Sequence, residues 1–319
     1  MRLCFRYIIL FRSFSIYRRR HIVIERINKN LNRLNDFLFK QYMGTEDCKE
    51  CLLSFLNAVL NDTIEDIELL KNLELPKETL EGKFGRLDIR AKLTNRTVIN
   101  IEVQLLNEDN IVERSQYYNS RLYVGSIKKG EDYRLLSKVI SINILNFSYF
   151  PYKEFYISGH LRVDQYPEDI LSDRQEYHFI ELPKFYSHET HDKTNPLHRW
   201  LIYFNQNVEK EELEELMSMD QAIKTAEEKV KKILSSEEQR RYYEAIEDAR
   251  RNMVSSMRYN REKGKEEGIK EGKKEGKKEG ELRTIELMKL LLQENRKNDM
   301  QQALQDDKFR EALFKEYNL

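Results

Sequence analysis

The sequence predicts a mixed α/β domain with a helical C-terminal extension, and three observations predict it. Two neighbouring segments alternate apolar and polar residues at period two. Segments on either side of them carry apolar residues at helical spacing. Beyond residue 205 the composition shifts to Glu and Lys, and proline disappears. Period two is the signature of a strand with two unlike faces, and a spacing of three to four residues that of a helix. The chain has 319 residues, enough for one α/β domain with added helical segments.

Taken in order, residues 34–43 and 46–60 read as two helices. In the second, Leu52, Phe55, Leu56, Val59 and Leu60 recur at helical spacing, and Thr45 is placed as its N-cap. A short strand is expected over 66–70. Leu87, Ile89, Ala91 and Leu93 then alternate with Arg86, Asp88, Arg90 and Lys92. Ile99, Ile101, Val103 and Leu105 alternate in the same way with Asn100, Glu102 and Gln104. These are two strands, each half-buried, joined by a hairpin turn at the polar Thr94-Asn95-Arg96. A helix follows over 109–127, then a strongly apolar strand over 139–147. Further strands fall at 155–163 and 177–182, a loop at 187–196, and a short helix at 197–204 around the single tryptophan, Trp200. The domain is thus expected over 31–204. A charged helical segment follows over 205–262, a Gly/Lys/Glu repeat spacer over 263–281 and a C-terminal helical segment over 282–319.

Charge and cysteine content narrow the class. The 55 basic and 55 acidic residues cancel, so whole-chain charge does not mark a nucleic-acid binder. The charge is uneven, however: Arg2, Arg6, Arg12, Arg18, Arg19 and Arg20 precede the first acid, Glu25. Residues 1–30 are read as coding sequence upstream of the true start, or else as a disordered basic arm touching DNA phosphates non-specifically. Three cysteines, Cys4, Cys48 and Cys51, form no disulfide framework in a chain of this length and point to a reducing compartment. The early apolar run is broken by Arg12 and is too short to span a membrane. A cytoplasmic protein without membrane contact is expected.

The chemistry-bearing constellation lies on the paired strands. If a three-residue loop at 94–96 closes the hairpin, Leu93 pairs with Thr97 and Asp88 falls opposite Glu102. Directly opposed residues have Cβ atoms about 4.5–5.5 Å apart, so two carboxylates converge on the polar face. Mg²⁺ takes hard oxygen ligands of this kind, with water and substrate phosphate filling the other positions. Such an ion can activate water and offset charge on a reacting phosphate. Gln104, one pleat beyond Glu102, is placed to hold the attacking water or a phosphate oxygen. The competing reading makes all three solvated residues of an exposed strand face.

A series of motifs adds to this. Asn35-Asp36-Phe37-Leu38-Phe39-Lys40, Phe55-Leu56-Asn57-Ala58-Val59-Leu60, Leu87-Asp88-Ile89 and Asn100-Ile101-Glu102-Val103-Gln104 follow in order. Then come Arg114-x-x-Tyr117-Tyr118, Gly130-x-x-Tyr133, Phe179-Ile180-Glu181-Leu182-Pro183-Lys184-Phe185 and the terminal Glu-Gly repeats. Over residues 34–280 the chain resembles the recombination-promoting nuclease (Rpn) family, the transposase-like PD-(D/E)XK nucleases. The resemblance implies a restriction-endonuclease-like αβββαβ core and DNA endonuclease activity dependent on Mg²⁺ or Mn²⁺. It also implies a role in DNA recombination. Asp88 and Glu102 match the family's metal-binding acids. Gln104 stands where the wider superfamily has lysine, a position that this family commonly fills with glutamine. Slow turnover, or a nuclease fold that binds DNA or a partner without cutting, is the alternative that this implies.

Several residues stay open. Asp36, Glu46 and Glu50 are candidates for an additional acid. Arg114 is placed on a DNA phosphate or on a carboxylate that it orients, with a helix-surface salt bridge as the competing reading, and Tyr117 and Tyr118 are read as packing residues. Cys48 and Cys51 have C-x-x-C spacing without a second ligand pair, so they are read as buried side chains. His188 and His191 are one residue too close for the H-E-x-x-H zinc motif and are read as loop. Gly264, Gly268, Gly272, Gly276 and Gly280 recur every fourth residue, each costing roughly 1 kcal/mol against alanine in a helix. A marginal solvated helix or a flexible spacer is expected there, with the helices beyond it available for homo-oligomer formation or as a scaffold.

Overall fold

The computed structural model describes residues 31–70 and 87–319, with Leu87 and Asp88 described through their backbone. The expectations for residues 1–30 lie outside the described residues. The chain forms two compact units, one ending at Arg250 and one running from Arg251 to Leu319.

In the first unit, α1 (Asp36–Met43) and α2 (Lys49–Leu60) precede β1 (Ile67–Leu69), β2 (Leu87–Leu93) and β3 (Val98–Gln104). The side-chain oxygen of Asn35 accepts from the amides of Phe37 and Leu38 and so starts α1, satisfying donors that the first turn leaves open. After β3 come α3 (Ile111–Val124), β4 (Val139–Leu145), β5 (Tyr156–Val163) and β6 (Tyr166–Glu181). The helices α4 (Leu182–Tyr186), α5 (Pro196–Phe204), α6 (Lys210–Met219) and α7 (Gln221–Ser235) follow. Asn195 caps α5 and Pro196 occupies its first turn, where a missing N–H costs nothing.

The six strands form one mixed sheet in the order β1-β2-β3-β4-β6-β5. β3, β4 and β6 are parallel neighbours, while the β1/β2, β2/β3 and β5/β6 pairs are antiparallel. Parallel pairing of β3 with β4 needs a long crossover, and α3 supplies it. Ile99, Ile101 and Val103 of β3 and Ile140, Ile142 and Ile144 of β4 join one large core. To that core α1 brings Leu38, Phe39 and Tyr42, α2 brings Phe55 and Leu56, and α5 brings Trp200 and Phe204.

β3 departs from the half-buried strand expected of it: all seven residues are buried. The second face of the sheet is covered by α3, so its alternating polar residues are interior rather than solvated. β6 is also much longer than the expected 177–182. Its first half, from Tyr166, pairs with β5 through several register shifts and is exposed.

The helix α8 (Glu237–Gln293) includes the boundary between the units and passes unbroken through the glycine tract. The five glycines are exposed there, and added Cβ atoms would meet nothing within 4 Å. In the second unit, Leu287 and Leu291 of α8 pack with Ala303 of α9 (Lys297–Gln305) and with Leu313 and Phe314 of α10 (Asp307–Glu316). No helix among the described residues is long and apolar enough to cross a membrane.

Candidate active site

The hairpin sets the site. Leu93 donates its backbone N–H to Thr97 O at 2.9 Å, and Arg96 donates to Leu93 O at 3.0 Å. Arg96 has φ of +70°, the left-handed residue with which three-residue hairpin loops end. This closure puts Asp88 directly opposite Glu102, Arg90 opposite Asn100 and Ile89 opposite Ile101. Glu102 in turn neighbours Asn143 of β4, and Asn100 neighbours Ser141. Asn100, Glu102, Gln104, Ser141 and Asn143 therefore share one face with Arg90, and Asp88 holds the register position across from Glu102.

Glu102 is 2% exposed and Gln104 4%. A carboxylate so buried requires partners. Asn100 Nδ2 donates to Glu102 Oε1 at 3.0 Å, and Arg114 Nε lies 3.5 Å from Glu102 Oε2. With its amide oxygen turned toward Arg114, Gln104 accepts from the guanidinium at 2.6–3.0 Å. Glu108 stands 3.8 Å from Nη1 of the same guanidinium. Arg114 thus meets the Glu102 and Glu108 carboxylates, the Gln104 amide and, at 5.9 Å, the ring of Tyr118.

α3 is fixed over this face by a polar layer. Asn143 Nδ2 donates to Ser115 Oγ at 3.0 Å and to His178 O at 3.1 Å. Asn119 Nδ2 donates to Ser141 Oγ at 3.0 Å, and Gln175 Nε2 donates to Asn119 Oδ1 at 3.0 Å. Ile111, Ser115, Tyr118 and Asn119 are the buried residues of α3, at the spacing of one helical face. Sequence reasoning missed this layer. Its signal was available: Ser141 and Asn143 alternate with Ile140, Ile142 and Ile144 just as Asn100 and Glu102 alternate with their neighbours. Tyr118 is buried as expected, whereas Tyr117 is 49% exposed and packs at the surface, edge-on to Tyr118 with the Arg121 guanidinium over its ring.

The additional-acid candidates lie on the helical segments that precede the sheet. Asp36 opens α1 and is half-buried, while Glu46, in a short 3-10 turn, and Glu50, in the first turn of α2, are exposed. The helices α1 and α2 join the core formed by the opposite, apolar face of the sheet. Among the described residues no group of three His, Cys, Asp or Glu side chains is arranged to hold a metal ion.

A second polar cluster lies on the other face of β6. His178 Nε2 donates to Glu176 Oε1 at 2.9 Å, and Lys138 Nζ lies 2.6 Å from Glu176 Oε2. The hydrogen bond from His178, joined by that from Lys138, outweighs desolvation and holds the Glu176 carboxyl down at about 2. The remaining motifs are structural. Cys48 and Cys51 are buried, Cys51 Sγ donates to Ala222 O, and burial pushes the Cys51 thiol up to about 12, which makes it inert. His188 and His191 lie in the loop between α4 and α5.

No curated protein and no solved structure matches the chain. Residues 33–260 match the model of the PD-(D/E)XK nuclease family transposases, a span that takes in both acidic strands and the helix covering them. The chain belongs to that family, as the ordered motifs from Asn35 onward anticipate.

Proposed function

We propose that the protein is a divalent-metal-dependent DNA endonuclease, with Asp88 and Glu102 holding Mg²⁺ or Mn²⁺ and Gln104 supporting the attacking water or a phosphate oxygen. One observation carries this reading: the hairpin register that sets Asp88 against Glu102, at a place where the second carboxylate is buried and hydrogen-bonded. A buried carboxylate facing a second acidic position is a hard oxygen donor set of the kind these ions take, so the residues present fit the ion. When bound, such an ion supplies an activated water and offsets charge on the phosphodiester.

The chain's own residues do the rest. Asn100 and Arg114 fix the Glu102 carboxylate, which keeps the donor atoms in one geometry before substrate arrives. With its oxygen engaged by Arg114, Gln104 retains an amide NH2 that can donate to a water or a phosphate oxygen. Hydrolysis then forms a bond from water oxygen to phosphorus and breaks the bond to one ester oxygen. The sequence α1-α2, β1-β2-β3, α3, β4 supports the αβββαβ core that the resemblance implies, with one helix added before the strands. A role in DNA recombination, and self-association through the C-terminal helices, belong to the same reading.

The test is nicking of supercoiled plasmid by the full chain in Mg²⁺ or Mn²⁺, beside Asp88→Asn and Glu102→Gln. Metal-dependent nicking that both substitutions abolish is expected. Equal nicking by all three proteins overturns the site. DNA binding by all three without any nicking favours the alternative, a nuclease fold that binds without cutting, for which a polar uncharged side chain at 104 is the motivating observation.

A further inference from the structure

We infer that Arg114 is the positioning residue of this site, holding Glu102 and Gln104 together and supplying, from α3, a cation that β3 itself lacks at position 104. The inference rests on the endonuclease reading. Its physical basis is a guanidinium whose side chain is only 9% exposed. A cation that buried is sustained by its partners, and here the partners are the two site side chains on one strand face, Glu102 at 3.5 Å and Gln104 at 2.6–3.0 Å. Glu108 at 3.8 Å adds a more exposed contact on the outer side.

The fork is itself held. One residue along α3, Ser115 bonds to Asn143, and a turn further Asn119 bonds to Ser141. Both partners lie on β4 beside Asn100 and Glu102. The helix therefore cannot shift along the sheet without breaking this layer, and Arg114 inherits that registration. Two flexible side chains are thereby fixed by one rigid, planar, multiply donating group, a task for which a guanidinium is suited and an ammonium is not. The identity of residue 104 follows from the same contact. A glutamine oxygen accepts from the guanidinium, whereas a lysine there would set an ammonium against it in a buried space. Changing Gln104 to lysine is thus harmful as long as Arg114 is present, and is relieved when the cation on α3 is removed.

The experiment compares wild type with Arg114→Gln, Arg114→Lys, Gln104→Lys and the exchange Gln104→Lys/Arg114→Gln, all in the full chain. Mn²⁺ affinity is read by titration calorimetry with the metal alone, and melting temperature is read in EDTA. Arg114→Gln should weaken Mn²⁺ binding by roughly 10–100-fold, the usual effect of losing an outer partner of a ligand, with partial recovery in Arg114→Lys. Gln104→Lys should lower the melting temperature, and the exchange variant should regain it and bind Mn²⁺ better than either single variant. Unchanged or tighter Mn²⁺ binding in Arg114→Gln overturns the inference, as does an exchange variant no better than Gln104→Lys. A wild type that neither binds Mn²⁺ nor nicks DNA defeats the endonuclease reading instead. The EDTA melting cycle still decides the coupling of 104 with 114: non-additive effects support it and additive ones overturn it.

Discussion

On one face of β3, Ile99, Ile101 and Val103 enter the large core with α1, α2 and α5; on the other, Asn100, Glu102 and Gln104 lie beneath α3. The two faces are buried alike and differ in what burial demands. Apolar side chains are satisfied by area and shape from any direction. Polar ones need a partner at a particular distance and angle, and leaving one unpaired costs about 1–3 kcal/mol. The apolar face therefore fixes that the sheet exists, and the polar face fixes where individual atoms stand. A site that must hold donor oxygens in place benefits from the second kind of burial, built on a strand rather than a loop.

The largest expected separation of the two faces comes from adjacent residues. Glu102→Ala should reduce Mg²⁺-dependent nicking by more than about 100-fold, because losing even an outer partner of a ligand costs roughly 10–100-fold. Ile101→Ala should instead cost about 2–4 kcal/mol of stability by opening a cavity, measured by denaturant unfolding, while its folded fraction still nicks plasmid at saturating Mg²⁺. An Ile101→Ala protein that is stable but inactive would break the comparison.

A smaller effect sharpens it. Asn100→Ala removes the donor to Glu102 Oε1 and should raise the half-saturating Mg²⁺ concentration about 10-fold, with little change in the rate at saturation. The Glu176 cluster tests whether polar burial stabilises without catalysing. Its folded value of about 2 lies below the ordinary 4.5, so its ionised form stabilises the fold above about 4.5. That contribution is lost as pH falls from there through about 2. Glu176→Gln should be less stable than wild type by about 2 kcal/mol near neutral pH, with the gap closing in acid and nicking at pH 7 unaffected. The smallest effect belongs to the turn. Arg96→Asn places a residue more tolerant of positive φ at a left-handed position and should raise stability by roughly 0.5 kcal/mol, read as a small rise in melting temperature.

The hairpin was legible because three signals agreed: alternation in both strands, a polar loop between them, and a loop length that sets the pairing. Asp88 opposite Glu102 follows from those alone. The burial of β3 was not legible, because period two reports that the faces differ and not what covers each one. Covering by α3 depends on Ser115 and Asn119 meeting Asn143 and Ser141 across more than twenty residues of chain, a tertiary fact. That Arg114 is buried and not in a helix-surface salt bridge was hidden for the same reason, since a helix position gives a direction only once the helix is docked. The exposed first half of β6, with Pro167, Asp169 and Asp173, carries residues that strands disfavour and is held by pairing to β5. Its strand state is conferred by a neighbour and not by its own composition.

The closure at Leu93 and Thr97 bears on how this site tolerates sequence drift. Asn95 stands immediately before the left-handed Arg96, so one substitution, Arg96→Gly, would write Asn-Gly into the loop, the dipeptide that favours two-residue hairpins. A two-residue loop closes one position later, at Thr94, and slides β2 so that Asp88 meets Val103 in place of Glu102. Slippage by a single residue inverts every side chain of the strand, and the large core resists it. The two acidic positions are thus kept in phase by the apolar residues of the opposite face, and the left-handed turn at one surface arginine sets the loop length from which that phase starts.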